Sequence, residues 1–120
     1  MAKKILIVDD EPDLLNVTVA RLEVSGYEVL QAASAEDALE VLKKNKPDLV
    51  LLDLLLPNLQ GDVLCKQLKS NEELKHIPII LFTASIIRVP AKVKEMGADD
   101  YILKPFGTED LLSKIKKYIR

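Results

Sequence analysis

An α/β domain built on a mostly parallel sheet is predicted by three features of this sequence. Its 120 residues fit one domain and suffice for one hydrophobic core. Continuous apolar runs of strand length occur three times, and amphipathic stretches of helical length separate them. The strand–helix order repeats five times, which implies parallel strands joined by right-handed helical crossovers.

The predicted strands are of two kinds. Three contain continuous apolar runs, as expected of strands that are buried on both faces of a sheet, and they cover 4–8, 48–53 and 77–83. Two are shorter and more mixed, which suits a second strand and an edge strand, and they cover 27–32 and 100–104. The sheet should therefore contain five strands.

Capping residues and helical spacing mark the segments between the strands. The first helix has Pro12 near its start and Gly26 at its end. Ser34 is the predicted N-cap of the second helix and Thr108 that of the last, while the third helix is expected within 61–74. Apolar residues at helical spacing should face the core, and they are Leu15, Val19, Leu22, Ala35, Ala38, Leu39, Leu42, Leu64, Leu68, Leu111, Leu112, Ile115 and Ile119.

Two further segments need separate interpretation. A short fourth helix with a weak signal is predicted within 91–97, and an apolar stretch, Ile86–Pro90, precedes it. We hypothesise that this stretch binds a partner or a second copy of the chain, because exposed apolar patches mark interaction surfaces. The KIKKY segment at 114–118 is interpreted as a solvated helix end whose lysines complement the helix dipole.

Composition argues against several classes of protein. A formal net charge of −2 disfavours a nucleic-acid surface that acts through bulk electrostatics. The single cysteine, Cys65, cannot form an internal disulfide, which suits a reducing cytosol. No signal-peptide pattern and no apolar run of membrane-spanning length occurs in the sequence. We therefore expect a cytoplasmic protein with neither a membrane partner nor direct nucleic-acid contacts.

Polar side chains follow the predicted strands at their carboxyl ends, where such sheets place their binding sites. They are Asp9, Asp10 and Glu11 after the first strand, Asp53 after the third, Thr83 after the fourth and Lys104 after the fifth. Adjacent carboxylates repel unless a cation lies between them, and Mg²⁺ prefers such hard oxygen ligands. Carboxylates, a metal ion, a hydroxyl and a lysine ammonium around one point predict phosphoryl transfer, with Asp53 as the nucleophile.

Four motifs that lie at these strand ends resemble the receiver domains of two-component response regulators. They are VDDEP (8–12), LLDLLLPNLQG (51–61), LFTA (81–84) and GADDYILKPF (97–106). The resemblance covers essentially the whole chain. It implies one doubly wound, flavodoxin-like (βα)5 domain over 1–120, with a five-stranded parallel sheet in the strand order 2-1-3-4-5.

The resemblance implies a metal-dependent phosphorylation site. Asp53 would accept the phosphoryl group and also ligate Mg²⁺. Asp10 would ligate the Mg²⁺ directly, and Asp9 would assist through water or hydrogen bonds. The backbone carbonyl of Leu55 would supply the third protein ligand. The two adjacent acids after the first strand are then explained by the cation beside them.

The resemblance also implies a switch. Thr83 and Lys104 would hold the phosphoryl group and signal its presence. Tyr101 matches the position of an aromatic side chain that swings inward when Thr83 moves toward the phosphate. The Lys104–Pro105 peptide bond is expected to be cis, as cis peptides are nearly always X–Pro bonds.

The partners implied by the resemblance are proteins of a phosphorelay. A sensor histidine kinase or a histidine phosphotransfer protein would donate the phosphoryl group. Phosphorylation would then change the surface formed by the fourth and fifth strand–helix units. That surface would bind a downstream protein, an output domain or, in a phosphorylation-dependent homodimer, a second copy of the chain. The chain would catalyse only its own phosphorylation and dephosphorylation, so we do not expect an enzyme with a turnover substrate.

Several alternatives stay open or are disfavoured on particular residues. The sequence does not separate a stand-alone receiver from one excised from a larger regulator. A phosphatase with an aspartyl nucleophile, of the haloacid-dehalogenase type, needs a second Asp two residues after the nucleophile, where this chain has Leu55. A pseudo-receiver usually lacks the acid pair or the lysine, and both are present. A flavodoxin-like cofactor binder should have a Ser-, Thr- and Gly-rich loop after the first strand, where this chain is acidic.

Overall fold

The computed structural model describes most of the chain, and the fold is given for that part. The described residues are 3–9, 12–53, 60–83, 97–103 and 107–119. Residues 91–96 of the predicted fourth helix, the Ile86–Pro90 stretch and the Lys104–Pro105 bond lie outside them.

The described elements form one parallel five-stranded sheet with helices between its strands. In chain order they are β1 (Lys4–Val8), α1 (Pro12–Val24), β2 (Glu28–Ala32), α2 (Ala35–Lys44), β3 (Leu49–Asp53), α3 (Gln60–Ser70), β4 (Ile79–Thr83), β5 (Asp100–Leu103) and α4 (Thr108–Tyr118). The strand order is β2-β1-β3-β4-β5 with every pair parallel, which confirms the predicted topology. Among these helices, none has the length and apolar character needed to cross a bilayer.

The core consists of two layers, one on each face of the sheet. Along β1 the side chains alternate, so Leu6 and Val8 belong to one layer while Ile5 and Ile7 belong to the other. We call the first the α2/α3 layer, because α2 and α3 supply its Ala35, Ala38, Leu42, Leu64, Cys65 and Leu68. We call the second the α1/α4 layer, because α1 and α4 supply its Val19, Leu22, Leu111 and Ile115, and Ile119 directly follows α4. The predicted core faces of these helices are therefore confirmed wherever their side chains are described.

The helix ends agree with the capping residues at the first two helices. Gly26 follows α1 with a φ of +97°, a conformation that glycine adopts without strain. Ser34 caps α2, because its Oγ accepts a hydrogen bond from the Asp37 N–H at 3.1 Å. The cap predicted at Thr108 is wrong, since Gly107 is the N-cap and its carbonyl accepts the Leu111 N–H at 3.1 Å. The last helix thus begins one residue earlier than predicted.

The third helix is shorter than predicted and ends at Ser70. The side chain of Asn71 accepts a hydrogen bond from the Glu73 N–H at 2.8 Å. Asparagine side chains offer the backbone such a local turn in place of the next helical turn. The segment that the sequence assigned to the end of this helix therefore forms a separate turn before β4.

A lysine near the end of α3 joins three parts of the chain at the amino edge of the sheet. The Nζ atom of Lys69 donates to the carbonyls of Lys75 and Ile77, at 3.3 and 3.1 Å, and to Asp99 Oδ2 at 3.0 Å. The same Asp99 oxygen accepts the N–H of Ile79 at 2.8 Å. These bonds occupy all three ammonium protons and connect α3 to the starts of β4 and β5.

A second polar cluster connects the start of β5 to α4. Asp100 Oδ1 accepts a hydrogen bond from Lys114 Nζ at 2.9 Å, and Asp100 Oδ2 accepts one from the Tyr118 hydroxyl at 2.8 Å. Lys117 Nζ lies 3.6 Å from Asp100 Oδ2. The interpretation of 114–118 as a solvated helix end holds for Lys117, whose side chain is 65% exposed in the last turn. It is wrong for Lys114 and Tyr118, because they bond to a carboxylate that is only 12% exposed. We call these residues the Asp100 cluster.

The Asp100 cluster makes stability depend on pH at both extremes. Burial raises the pKa of Asp100, but hydrogen bonds from Lys114, Tyr118 and the Tyr101 N–H together hold that pKa below its ordinary value of 3.8. A carboxyl with a lowered folded-state pKa stabilises the fold above its ordinary pKa and loses that contribution as the pH falls further. Burial and the bond to Asp100 raise the pKa of Tyr118 to about 12, so its contribution is lost as the pH rises from 10 to about 12.

We therefore expect the variant Asp100→Asn to show a flatter decline of stability below pH 3.8 than the wild type. Denaturant unfolding at a series of acidic pH values measures this slope. Glu40→Gln is the matched control, because the Glu40–Lys43 pair is solvent-exposed and such pairs contribute little. Equal slopes for Asp100→Asn and the wild type would contradict the expectation.

Candidate functional site

The candidate site lies at the carboxyl edge of the sheet, where β1 and β3 end side by side. Val8 pairs with Leu52 across these parallel strands. The next residues along the chain are Asp9, directly after β1, and Asp53, the last residue of β3, so these two residues lie side by side. The Asp9 N–H donates to the Ala32 carbonyl at 3.0 Å, which holds this residue in line with the sheet. Neighbouring strands are about 4.8 Å apart, so the backbones that carry the two carboxylates are close neighbours.

Both of these carboxylates are buried. The exposed fraction is 1% for Asp9 and 3% for Asp53. Carboxylates are almost never buried without a compensating partner, because removing a charge from water is costly. Two buried acids on adjacent strand ends form a donor set of hard oxygens, and this set fits Mg²⁺.

The strand pairings extend the carboxyl edge towards β4 and β5. Asp53 pairs with Phe82, and Thr83 pairs with Leu103, the last residue of β5. Asp53 follows Leu49 and Leu51 at alternate positions, so it lies on the face of the sheet that the α1/α4 layer covers. Thr83 lies one position beyond the level of Asp53, on the next strand of the sheet.

The predicted site residues are only partly within the described chain. Asp9 and Asp53 lie at the edge as predicted, and the backbone of Thr83 ends β4. The Thr83 side chain and all of Asp10, Leu55 and Lys104 lie outside the described residues. The roles assigned to them stay predictions. Over the described ranges alone, no group of three or more His, Cys, Asp or Glu side chains gathers in one place.

Tyr101 is described, and its surroundings include residues that the sequence interpretation missed. The ring is half-buried and packs against the α2/α3 layer. Lys114 Nζ lies 5.6 Å from the ring centroid, and the Tyr101 N–H donates to Asp100 Oδ1 at 2.8 Å. One signal in the sequence could have indicated these neighbours of Tyr101, namely the helical spacing of Lys114, Lys117 and Tyr118. Residues three and four apart share one helix face.

The sequence of this chain matches the sequence model of a known protein family. The model described as the response regulator receiver domain matches residues 5–116. The chain is 40% identical over 121 residues to the alkaline phosphatase synthesis transcriptional regulatory protein PhoP of Bacillus subtilis, with 100% of this chain and 50% of that protein covered. The chain thus spans about half the length of the curated relatives it matches.

Solved structures show the same fold. The signal receiver domain of a signal transduction histidine kinase from Syntrophus aciditrophicus superposes with a TM-score of 0.89 at 36% identity, covering 98% of this chain and 90% of that chain. The receiver domain of a sensor histidine kinase from Pseudomonas aeruginosa superposes with a TM-score of 0.90 at 28% identity, covering 99% of this chain and 98% of that chain. That second structure has a magnesium ion coordinated in its active-site cleft.

Proposed function

The chain belongs to the response regulator receiver family, and on that premise we propose that it is a phosphorylation switch whose acceptor is Asp53. The observation that carries this proposal is the burial of Asp53 beside Asp9 at the carboxyl edge of the sheet. A buried carboxylate at a strand end has a fixed position, which favours in-line attack on a bound donor. A second buried carboxylate beside it adds hard oxygen donors that suit a cation at the same point.

In the proposed reaction, a carboxylate oxygen of Asp53 attacks the phosphorus atom of the donor. A new O–P bond forms while the P–N bond to a donor histidine breaks, and the leaving imidazole takes up a proton from solvent. With a small acyl phosphate as donor, the P–O bond breaks and a carboxylate leaves. The product in both cases is an aspartyl phosphate. Thr83 and Lys104 would bind the oxygens of the phosphoryl group as hydroxyl and ammonium donors.

We propose Mg²⁺ as the cation. Asp9, Asp10 and Asp53 would hold it with the carbonyl of Leu55, and the bound ion would neutralise charge on the phosphoryl oxygens during transfer. The support is the chemistry of the two described carboxylates and the magnesium ion in the cleft of the Pseudomonas aeruginosa relative.

The proposed donor is a sensor histidine kinase or a histidine phosphotransfer protein. The proposed downstream partner of the phosphorylated chain is another protein, an output domain or a second copy of the chain. PhoP of Bacillus subtilis is named as a transcriptional regulatory protein and is about twice the length matched here. An output segment beyond the matched length is therefore compatible with this proposal, and any DNA contact would belong to that segment. We keep the proposal that the receiver itself turns over no separate substrate.

The test is phosphoryl uptake from acetyl phosphate or phosphoramidate, followed by intact mass. We expect a gain of one phosphoryl group in the presence of Mg²⁺ and no gain when the metal is removed with EDTA, because the acids repel the donor without it. Failure to take up a phosphoryl group from either donor with Mg²⁺ present would contradict the proposal. Equal uptake with EDTA would contradict its metal requirement.

A further inference from the structure

We propose that Lys114 is a positioning residue for Tyr101. Its ammonium, which Asp100 holds in place, keeps the Tyr101 ring in a half-exposed position and so sets how readily the chain adopts its phosphorylated conformation. The proposal rests on the proposed function, in which Tyr101 moves inward on phosphorylation.

One carboxylate oxygen fixes both the cation and the residue that carries the ring. Asp100 Oδ1 accepts from Lys114 Nζ at 2.9 Å and from the Tyr101 N–H at 2.8 Å. Lys114 Nζ then lies 5.6 Å from the centroid of the Tyr101 ring. An ammonium within about 6 Å of an aromatic ring centroid is attracted to the ring face.

The Asp100 side chain, which holds the Lys114 ammonium, is itself fixed by burial and by a further hydrogen bond. The Asp100 side chain is only 12% exposed, and its second oxygen accepts the Tyr118 hydroxyl at 2.8 Å. The Lys114 side chain is 34% exposed, so its ammonium is partly shielded from water. Shielding strengthens the attraction between the cation and the ring relative to a fully solvated pair.

The hydrogen bond to Asp100 prevents the Lys114 ammonium from moving with the Tyr101 ring. The ring packs against the α2/α3 layer, whereas Lys114 projects from α4 and is bonded at the start of β5. A ring that moves deeper into the interior therefore leaves the cation behind. A contact made in only one of two positions biases the equilibrium towards that position. Contacts of this kind on partly exposed side chains shift such an equilibrium about two- to fivefold.

The experiment titrates the chain with beryllium trifluoride and Mg²⁺, a stable mimic of the phosphoryl group. Backbone amide NMR gives the half-saturating concentration. Relaxation of the Tyr101 ring protons by a soluble paramagnetic agent gives the exposure of the ring, with and without the mimic. We expect Lys114→Met to lower the half-saturating concentration about two- to fivefold and to reduce ring exposure in the chain without the mimic. Lys114→Arg should restore both values, because it retains the cation.

Lys117→Met is the matched control. It removes the same charge from beside Asp100, where Lys117 Nζ lies 3.6 Å from Oδ2, but that ammonium lies over the ring of Tyr118 at 5.7 Å. It should leave both readouts unchanged. Equal behaviour of Lys114→Met and Lys117→Met would overturn the proposal, because the charge alone would then account for the effect.

A second pair of variants tests whether Lys114 acts on the half-saturating concentration through the Tyr101 ring. In a Tyr101→Leu background, Lys114→Met should no longer change the half-saturating concentration, and a persisting effect would overturn the proposal. A wild-type chain that binds no mimic would instead contradict the proposed function. Ring exposure without the mimic would still test Lys114 in that case, so the two failures are distinguishable.

Discussion

The variant Asp53→Asn is expected to take up no phosphoryl group from acetyl phosphate under conditions in which the wild type gains one. The amide has no carboxylate oxygen to attack phosphorus, so the proposed acceptor is removed while the shape of the side chain is kept. The change also removes one of two adjacent buried negative charges, which repel one another. Intact mass measures the uptake, and thermal unfolding shows that the variant remains folded.

The matched control for this variant is Asp37→Asn. Asp37 is an exposed carboxyl in the first turn of α2, the helix that follows β2, and its replacement should not change the uptake. A phosphoryl group that persists on Asp53→Asn would show that another residue is the acceptor. Loss of uptake in both variants would show that the effect is not specific to Asp53.

Replacing Phe82 with alanine should lower the free energy of unfolding by about 3–5 kcal/mol, since removing a buried aromatic side chain leaves a cavity. Phe82 is 2% exposed, lies in the α1/α4 layer and pairs with Asp53 across the sheet. Domains are stable by about 5–15 kcal/mol, so this one change would remove a large share of the total. Denaturant unfolding with a two-state fit gives the value.

Two controls bracket the Phe82 prediction. Val24→Ala removes apolar atoms from a side chain that is 89% exposed and should cost less than about 0.5 kcal/mol. Phe82→Leu should fall between the two, because it keeps much of the buried volume. A loss for Phe82→Ala as small as that for Val24→Ala would contradict the assignment of Phe82 to the core.

The fold was predictable because its main signals are local. The apolar runs of β1, β3 and β4 are buried on both faces, and such strands carry no alternation that could be misinterpreted. Helical spacing on α2 and α4 identified the buried faces correctly. The errors lie at helix ends, where local hydrogen bonds set the boundary: the Asn71 side chain accepts the Glu73 N–H, and the Gly107 carbonyl accepts the Leu111 N–H.

The acidic edge of the site was predictable for a related reason. Parallel strands end at the same edge, so Asp9 and Asp53 could be placed together from the strand pattern alone. The Asp100 cluster was not predictable in the same way. Asp100 and Lys114 are 14 residues apart, and Lys69 and Asp99 are 30 apart. Helical spacing shows which lysines share a face but not which acid lies across from them.

The burial of Cys65 has a practical consequence for measuring how this protein opens. It is the one cysteine in the sequence, and it lies fully buried in the α2/α3 layer. A thiol reagent can modify it only when that layer separates from the sheet, so the labelling rate reports the free energy of that opening. The α1/α4 layer contains no thiol. Moving the cysteine there in a Cys65→Ala background would show whether the two halves of the core open together.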